Sequence, residues 1–397
     1  MRLSALTVSF SLLAASLVSA SEAAPVVDCP REGAGCRTIS IAGDTPFPTP
    51  TFTGHADPSL IADPVRSNRV WLAYSYLTGK RATGKWGRAV GVPVVETHLA
   101  VSDDSGRNWR LHSALWKSDL TPDPEGKSRD SYFGSETPSL AVNVSGGQTE
   151  WFSVRLHYFL EPESAYKPRY ATGWTMRVAR ARGDTPAVLA SAEDVILGVK
   201  TTSKAYGAHV DLSSLSPELS DCAMWNNPIV THQGGRLVLV PECLVFRGQT
   251  PVEERTRMVV FSTEAKGAPK AWTWRYDGVI ADHKLAVELG GDKLVSPEIQ
   301  RARDGSFLFI ASPQKGRGAF GIGCVVMQLD GLAPPWLRRD AAGRVVIRAR
   351  QTSPESAAWR TGACTFSAAS ETGLVTVGAK AGRGLDSRLL ATGLRLD

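Results

Sequence analysis

Residues 56–61 (ADPSLI) and 69–74 (RVWLAY) are two apolar segments joined by a turn, and their pattern recurs along the chain. Each copy has a polar residue beside a proline, an apolar segment, a turn and a strongly apolar segment. The further copies are 136–141 (ETPSLA) with 151–154 (WFSV), 226–230 (NNPIV) with 236–240 (RLVLV), 296–299 (SPEI) with 306–310 (SFLFI), and a weaker one without proline, 363–367 (ACTFS) with 373–377 (GLVTV). The four prolines are 80, 90 and 69 residues apart, which indicates a degenerate structural repeat.

Each repeat has room for four antiparallel strands, which is one blade of a β-propeller. The chain has 37 glycines and 24 prolines and lacks long helical periodicity, as is typical of all-β proteins. A proline is compatible with the start of the first strand of a blade, because no N–H is needed there for strand pairing. The predicted fold is therefore all-β, a β-propeller of five blades of four antiparallel strands each.

The predicted blades divide the chain into consecutive segments, and the ends of the chain close the ring. The fifth blade lacks a fourth strand, and the N-terminal strand 37–42 can supply it. The blade bounds are 55–116, 136–197, 225–281, 295–350 and 362–396. A β-sandwich or two smaller β domains would also give many short strands. The repeat does not exclude a propeller of six blades.

The N-terminus has the pattern of a secretory signal peptide. Arg2 precedes a short apolar run over 6–18, and small residues follow it up to Ala20. We therefore expect 1–20 to be removed and 21–397 to form a single propeller domain that is periplasmic or secreted. The alternative is a short membrane anchor, but the run is short and no later stretch is apolar enough to span a membrane.

The six cysteines fit an exported protein, since an even number in an exported chain suggests disulfides. Cys29 and Cys36 are neighbours in sequence, and so are Cys222 and Cys243, which bracket a glycine turn. The pairing of Cys324 with Cys364 follows mostly by elimination. No cysteine spacing resembles a zinc site, so we predict no metal centre and no cofactor, while bound calcium is left open.

The net charge of +6 and the sequence pI of about 9.0 are modest for 397 residues and are not clustered. They permit an acidic substrate but do not favour nucleic acid as a partner. The expected partner is a carbohydrate.

Residues 102–109 (SDDSGRNW) resemble the Asp-box, S-x-D-x-G-x-x-W, of sialidases and BNR-repeat proteins. Ser102 and Asp104 can bond turn backbone, Gly106 allows a positive φ, and Trp109 can pack between strands. The resemblance implies a sialidase-like propeller. An Asp-box is structural, so it implies nothing about catalysis.

Four carboxylates are predicted at the mouth of the channel, where first strands begin and second strands end: Asp57, Glu136, Glu242 and Glu298. Glycoside hydrolysis needs one carboxylic acid to protonate the leaving oxygen and another carboxylate to activate water or attack the sugar. Each also has a structural interpretation: Asp57 as a turn cap before proline, Glu136 as a solvated loop residue, Glu242 as a carboxylate bonded to backbone, and Glu298 as a non-catalytic carboxylate.

Residues 55–59 (HADPS) resemble the first-blade motif of five-bladed arabinanase and xylosidase hydrolases, in which the aspartate is the general base. The resemblance implies that Asp57 is the base. The Arg-Ile-Pro motif of sialidases and the Glu-Gly-Pro context of the arabinanase acid are absent from the sequence, and Glu136-Thr137-Pro138 is only a loose analogue.

Further polar and aromatic side chains are predicted to bind the substrate near the same mouth. They are His55, Tyr76, Arg81, Trp86, His157, Tyr158, His209 and Asn226. The hypothesis is an exported glycoside hydrolase. The alternatives are a non-catalytic propeller that binds glycan or protein, and another propeller enzyme, such as a lyase, that uses His157, Tyr158 or His209.

Overall fold

The computed structural model describes residues 24–29, 35–45, 52–83, 89–121, 131–160, 171–199, 207–316, 321–353, 359–380 and 385–396. This part of the chain is mostly β. Its helical segments are one α-helix, α1 (His283–Glu288), and 3-10 turns at Pro186–Ser191, Leu212–Leu215, Pro217–Leu219, Glu253–Arg255 and Pro269–Ala271. None of these described helices is long and apolar enough to cross a membrane.

The strands form five antiparallel units, preceded by three short strands. The short strands are β1 (Val26–Asp28), β2 (Arg37–Thr38) and β3 (Ile41–Ala42). Unit 1 is β4 (Phe52–Ala62), β5 (Val70–Thr83), β6 (Ala89–Ser102) and β7 (Trp109–Trp116), followed by β8 (Leu120–Thr121). Unit 2 is β9 (Ser131–Ser145), β10 (Gln148–Leu160), β11 (Ala171–Arg182) and β12 (Asp194–Gly198), with β13 (Val210–Asp211) beside β12.

The remaining units repeat this order. Unit 3 is β14 (Met224–Gln233), β15 (Arg236–Leu244), β18 (Arg257–Glu264) and β19 (Arg275–Ala281), with a small hairpin of β16 (Phe246–Arg247) and β17 (Thr250–Pro251). Unit 4 is β20 (Lys293–Arg301), β21 (Phe307–Gln314), β22 (Gly323–Leu329) and β23 (Ile347–Thr352), with β1 parallel to β23. Unit 5 is β24 (Trp359–Thr365), β25 (Val375–Lys380) and β26 (Leu385–Ala391).

The first strands of the units contact one another in order. β4 contacts β9, β9 contacts β14, β14 contacts β20, β20 contacts β24, and β24 returns to β4. The first strands therefore surround a common axis, and the other strands of each unit extend outward from it.

The N-terminal strands join the last unit to the first. β2 pairs antiparallel with β26, where Arg37 lies opposite Ala391, and so gives unit 5 a short fourth strand. β3 then pairs parallel with β7, the outer strand of unit 1. β26 also pairs directly with β4. The two ends of the chain thus hold units 5 and 1 together.

Hydrophobic clusters fill each gap between neighbouring units. Alternate residues of one strand enter two different clusters: Leu237 and Leu239 pack toward unit 2, whereas Val238 and Val240 pack toward unit 4. Side chains of a strand alternate between faces, so a sheet covered on both faces needs apolar residues at every position. This accounts for the continuous apolar runs of the second strands.

Three disulfides connect the cysteines, in the pairs expected from the sequence. They join Cys29 to Cys36, Cys222 to Cys243, and Cys324 to Cys364. The third connects unit 4 to unit 5. These bridges are compatible with an exported protein.

Candidate active site

The first strand of every unit carries a bulge at the axis. Six described non-glycine residues have a positive φ, and five of them lie at these bulges: Asp57, Thr137, Asn227, Ser296 and Ala363. Four precede a proline, and the pairing register of each first strand shifts there. The expectation that the prolines start the first strands is therefore wrong. They lie inside the strands, where a bulge leaves a residue unpaired and a missing N–H is tolerated.

Side chains of the second strands bond the bulges of the following unit. The Thr137 N–H donates to Ser75 Oγ at 2.9 Å, and the Ala363 N–H donates to Ser312 Oγ at 2.9 Å. The Ser296 N–H donates to Glu242 Oε1 at 2.6 Å. The three acceptors occupy matching positions in units 1, 4 and 3. Each is paired with the first-strand residue that directly precedes the positive-φ residue of the bulge.

The five bulges line an axial cavity of about 30 Å³. The cavity therefore has room for a small number of water molecules. A larger ligand would have to lie outside the cavity, at the end of the axis where the first strands begin.

Asp57 and Glu136 form an electrostatically coupled pair beside this cavity. Burial raises the pKa of Glu136 to about 8, and the charge of Asp57 contributes to the same rise. Tyr158 Oη donates to Glu136 Oε2 at 2.8 Å. Burial also raises the pKa of Asp57, but Ser75 Oγ donates to its Oδ2 at 2.8 Å and the Thr137 backbone N–H favours its charged form. The pKa of Glu136 thus lies above neutral pH, so its protonated form is favoured there.

Both members of this pair keep part of their surface exposed, whereas Glu242 and Glu298 are buried. Their donors also differ, since Asp57 receives donors that stabilise a carboxylate and Glu136 has a single tyrosine hydroxyl. Acid/base catalysis requires one protonated and one ionised carboxyl group, and this difference in donors favours the charged form of Asp57.

Glu242 is surrounded by protein donors. Asn227 Nδ2 and Asn226 Nδ2 donate to it at 2.8 and 3.3 Å, in addition to the Ser296 N–H. Burial raises its pKa, and these three donors with Lys293 oppose the rise. Only 1% of Glu242 is exposed, so its contacts favour a structural carboxylate that joins units 3 and 4.

Glu298 occupies the position that hydroxyl residues hold in three other units. Ser59 and Ser139 accept the backbone N–H of Leu140 and Val230, and Thr365 accepts that of Leu60. The matching residue of unit 3 is Ile229, which has no acceptor for the Ile299 N–H. Glu298 Oε1 accepts this N–H itself, at 3.2 Å, and also Gln300 Nε2 at 3.1 Å. Burial raises the pKa of Glu298 to about 8.

His55 and Tyr76 belong to a separate polar cluster between units 1 and 5. Tyr76 stacks on His98 with 4.2 Å between ring centroids, and His55 lies edge-on to Tyr74 at 5.1 Å. His98 Nδ1 is 2.9 Å from Asp44 Oδ2, and Tyr74 Oη also donates to Asp44.

His98 also bonds Glu96, with 3.3 Å between Nε2 and Oε2. Burial lowers the pKa of His98, but the bonds to Asp44 and Glu96 outweigh burial and raise it overall. Asp44 and Glu96 therefore favour the protonated form of His98.

His157 and Tyr158 point to opposite faces of unit 2, because they are successive residues of one strand. Tyr158 contacts Glu136, whereas His157 packs beside Phe133 with ring centroids 5.0 Å apart. His209 lies beside β12, the strand of unit 2 farthest from the axis, where its Nδ1 accepts the Ile196 N–H at 2.9 Å. These three residues are not brought together, which removes the basis for a lyase built on them.

Two predicted substrate-binding residues lie wholly or partly outside the described residues. Trp86 is outside the described residues, and only the backbone of Arg81 is described, where it pairs with Gly91. Asn226 donates to Glu242, so the structure gives it a partner within the protein.

Sequence reasoning missed Ser75, Asp44, Glu96 and His98. Ser75 carries no motif, and its role depends on its position opposite Ala56 in the β4–β5 pair. Glu96 and His98 are two residues apart in one strand and therefore share a face. This spacing is the one sequence feature that could have indicated that they lie together. Asp44 reaches the cluster from the N-terminal segment, and no local pattern marks it.

The Asp-box residues form the expected local bonds. Ser102 Oγ accepts the Gly106 N–H at 2.7 Å, and Asp104 Oδ1 accepts the Asn108 N–H at 2.9 Å. Trp109 Nε1 donates to the Gly106 carbonyl at 3.0 Å. The turn lies at the edge of unit 1, away from the axial carboxylates.

No protein-family model matches this sequence, and a search of curated proteins found no match. Among solved structures, the chain is similar to a glycoside hydrolase family 43 arabinoxylan arabinofuranohydrolase from Bacillus subtilis, in complex with cellotetraose. That similarity has 13% identity, covers 84% of this chain and 62% of the other, and has a TM-score of 0.47. The chain thus spans about six-tenths of that protein.

Two further structures show similarity over most of both chains. An α-L-arabinofuranosidase from Podospora anserina, in complex with cellotriose, has 9% identity, coverage of 92% and 95%, and a TM-score of 0.46. A native arabinanase from Bacillus subtilis has 12% identity, coverage of 85% and 96%, and a TM-score of 0.42. Similarities this distant carry no information on the residues or the reaction of this chain.

Proposed function

We propose that this chain is an exported glycoside hydrolase, folded as one five-bladed β-propeller domain over 21–397 after removal of 1–20. The observation that carries the proposal is the pair of Asp57 and Glu136 at the axis, which are partly exposed and whose charges interact. The order of contacts among the first strands supports the five blades, and the disulfides support export.

In the proposed reaction, Glu136 is the general acid and Asp57 the general base. The protonated Glu136 donates its proton to the glycosidic oxygen as the bond from the anomeric carbon to that oxygen breaks. Asp57 takes a proton from a water molecule whose oxygen bonds to the anomeric carbon. The products are a free sugar and an alcohol, and the two carboxyl groups then exchange protons with solvent to return to their starting state.

Ser75 and Tyr158 act on the two carboxyl groups rather than on the sugar. The Ser75 hydroxyl donates to Asp57 and orients it. The Tyr158 hydroxyl donates to Glu136 and fixes its position beside Asp57. The substrate, a polysaccharide or glycoconjugate, extends outside the axial cavity, because the cavity has room for only a small number of water molecules.

The test is a screen of chromogenic glycosides and of plant and bacterial polysaccharides, with release of reducing sugar as the readout. Wild type is expected to hydrolyse at least one of them, and Asp57→Asn is expected to lose that activity. Glu242→Gln is the control, because Glu242 is buried and bonded within the protein. Hydrolysis that persists unchanged in Asp57→Asn would remove Asp57 from the catalytic role.

A second candidate function is a non-catalytic propeller that binds glycan. Two of the four carboxylates predicted as catalytic, Glu242 and Glu298, are buried and bonded to protein donors, and this observation favours binding. A glycan that binds wild type and Asp57→Asn with equal affinity and is hydrolysed by neither would support it.

A further inference from the structure

One face of unit 2, directed toward unit 1, carries several buried polar atoms without a partner. They are Ser135 Oγ, Ser153 Oγ, Arg155 Nε, His157 Nδ1 and Arg177 Nε. The strand register places these residues on one face, because His157 lies opposite Ser135 and Arg155 lies opposite Arg177. Buried polar atoms are normally bonded, so this group of atoms can serve as donors and acceptors for a small polar ligand.

The same face carries more positive than negative charge. Asp194 accepts both terminal nitrogens of Arg155, at 3.0 and 2.7 Å, and one nitrogen of Arg177 at 3.5 Å. One carboxylate therefore accepts hydrogen bonds from two guanidinium groups. Arg155 is 4% exposed and lies over the Trp116 ring of unit 1 at 3.9 Å, so solvent does not neutralise it. An uncompensated buried charge is costly.

Among the described residues, Asp194 is the only carboxylate that is in contact with these two arginines. Glu96, on unit 1, already accepts from Lys80 Nζ at 2.7 Å and from the Ser118 N–H at 3.1 Å. His157 adds no charge, since burial lowers its pKa well below the usual range and both arginines lower it further. Its neutral ring can still offer an N–H from Nδ1.

We propose that a small inorganic anion of halide size binds between units 1 and 2, held by Arg155, Arg177 and His157. The Ser135 hydroxyl opposite His157 is a further donor. Arg155, His157 and Ser135 are at least nine-tenths buried, which limits the ligand to a small ion. The Arg177 side chain is 25% exposed and gives the ion its route from solvent.

The first test is thermal unfolding in sodium chloride and in sodium gluconate at equal ionic strength. Chloride is expected to raise the Tm of wild type relative to gluconate, by an amount that grows with the logarithm of chloride concentration. Arg177→Gln is expected to lose this chloride-specific rise. Arg338→Gln removes the same charge at an exposed surface position and is expected to keep it. Equal Tm values for wild type in both salts would overturn the proposal, as would an unchanged chloride response in Arg177→Gln.

The second test does not depend on a variant that folds. Crystals of wild type grown in sodium bromide are expected to show an anomalous peak within bonding distance of Arg155, Arg177 and His157. A water molecule there, without anomalous signal, would overturn the proposal.

Discussion

At the scale of single residues, four carboxylates of the same chemistry have different surroundings. Asp57 and Glu136 are partly exposed and coupled, whereas Glu242 and Glu298 are buried and bonded to protein donors. The environment, and not the residue type, therefore decides which of them can act on a substrate.

The role of Glu136 as acid predicts a dependence on the leaving group. Glu136→Gln is expected to lose at least about 100-fold in kcat on a substrate with a poor leaving group. The loss should be much smaller on an activated aryl glycoside, because its leaving group departs without protonation. Wild-type activity should also fall above about pH 8, where Glu136 loses its proton. An equal loss on both substrates would assign Glu136 a different role.

The buried Glu298 predicts a dependence of stability on pH. Its pKa is about 8 in the folded chain and 4.5 in the reference state, so between these values the unfolded state binds fewer protons. The free energy of unfolding therefore falls as pH rises through this window, by at most about 1.4 kcal/mol per pH unit.

Glu298→Gln keeps an acceptor for the Ile299 N–H and removes this titration. The variant is expected to gain stability over wild type from pH 5 to pH 8, measured by urea unfolding. A difference from wild type that is constant with pH would contradict the account.

The sequence predicted these residues unevenly. Asp57 stands out in the sequence because it lies beside a proline in a repeated pattern and within the motif at 55–59. The distinction between Glu136 and Glu242 was not predictable, because it depends on Tyr158, Asn227 and Ser296, which reach the carboxylates across strands and units.

At the scale of elements, the repeated feature is a bulge and not only a strand. The proline marks it in four units, and in the fifth Cys364 follows the positive-φ residue Ala363 instead. The periodicity of the sequence predicted the strand pairs. It did not predict that the prolines lie within the first strands. Strand pairing continues on both sides of each bulge, so a proline at the bulge lies inside the strand.

The Asp-box turn predicts a strong effect at one glycine. Gly106 has φ 87°, and a Cβ there would overlap the Ser370 hydroxyl of unit 5. Gly106→Ala is expected to destabilise the protein by about 1–3 kcal/mol. Gly146→Ala is the matched control, since its φ is also positive, at 58°, but its Cβ would meet no atom within 4 Å. Equal losses in urea unfolding would show that the contact with unit 5 is unimportant.

At the scale of the whole molecule, several contacts join the last unit to the first. Arg107 donates to Glu371 through two nitrogens, at 2.7 and 2.8 Å, and the Glu371 N–H donates to the Ser105 carbonyl at 2.7 Å. The N-terminal strands add backbone pairs with β26 and β7. A closing strand is predictable from the sequence, but the contact of the Asp-box turn with unit 5 joins residues too distant in sequence for a local pattern to reveal.

The disulfides predict different losses of stability at this scale. Cys324–Cys364 closes a separation of 40 residues and joins two units, whereas Cys29–Cys36 closes a separation of 7. In the chain-entropy model, replacing the longer bridge by two alanines should cost about 1.5 kcal/mol more than replacing the shorter one. Urea unfolding of the two double variants measures the difference. A larger loss from the shorter bridge would contradict this expectation.

The central claim is that Asp57 and Glu136 together hydrolyse a glycosidic bond. The most direct measurement is kcat/KM on one substrate found by the screen, for wild type, Asp57→Asn, Glu136→Gln and Glu242→Gln. The account predicts that each of the first two variants loses at least about 100-fold, while folded Glu242→Gln keeps most of its activity. Values within about twofold of wild type for both Asp57→Asn and Glu136→Gln would contradict it.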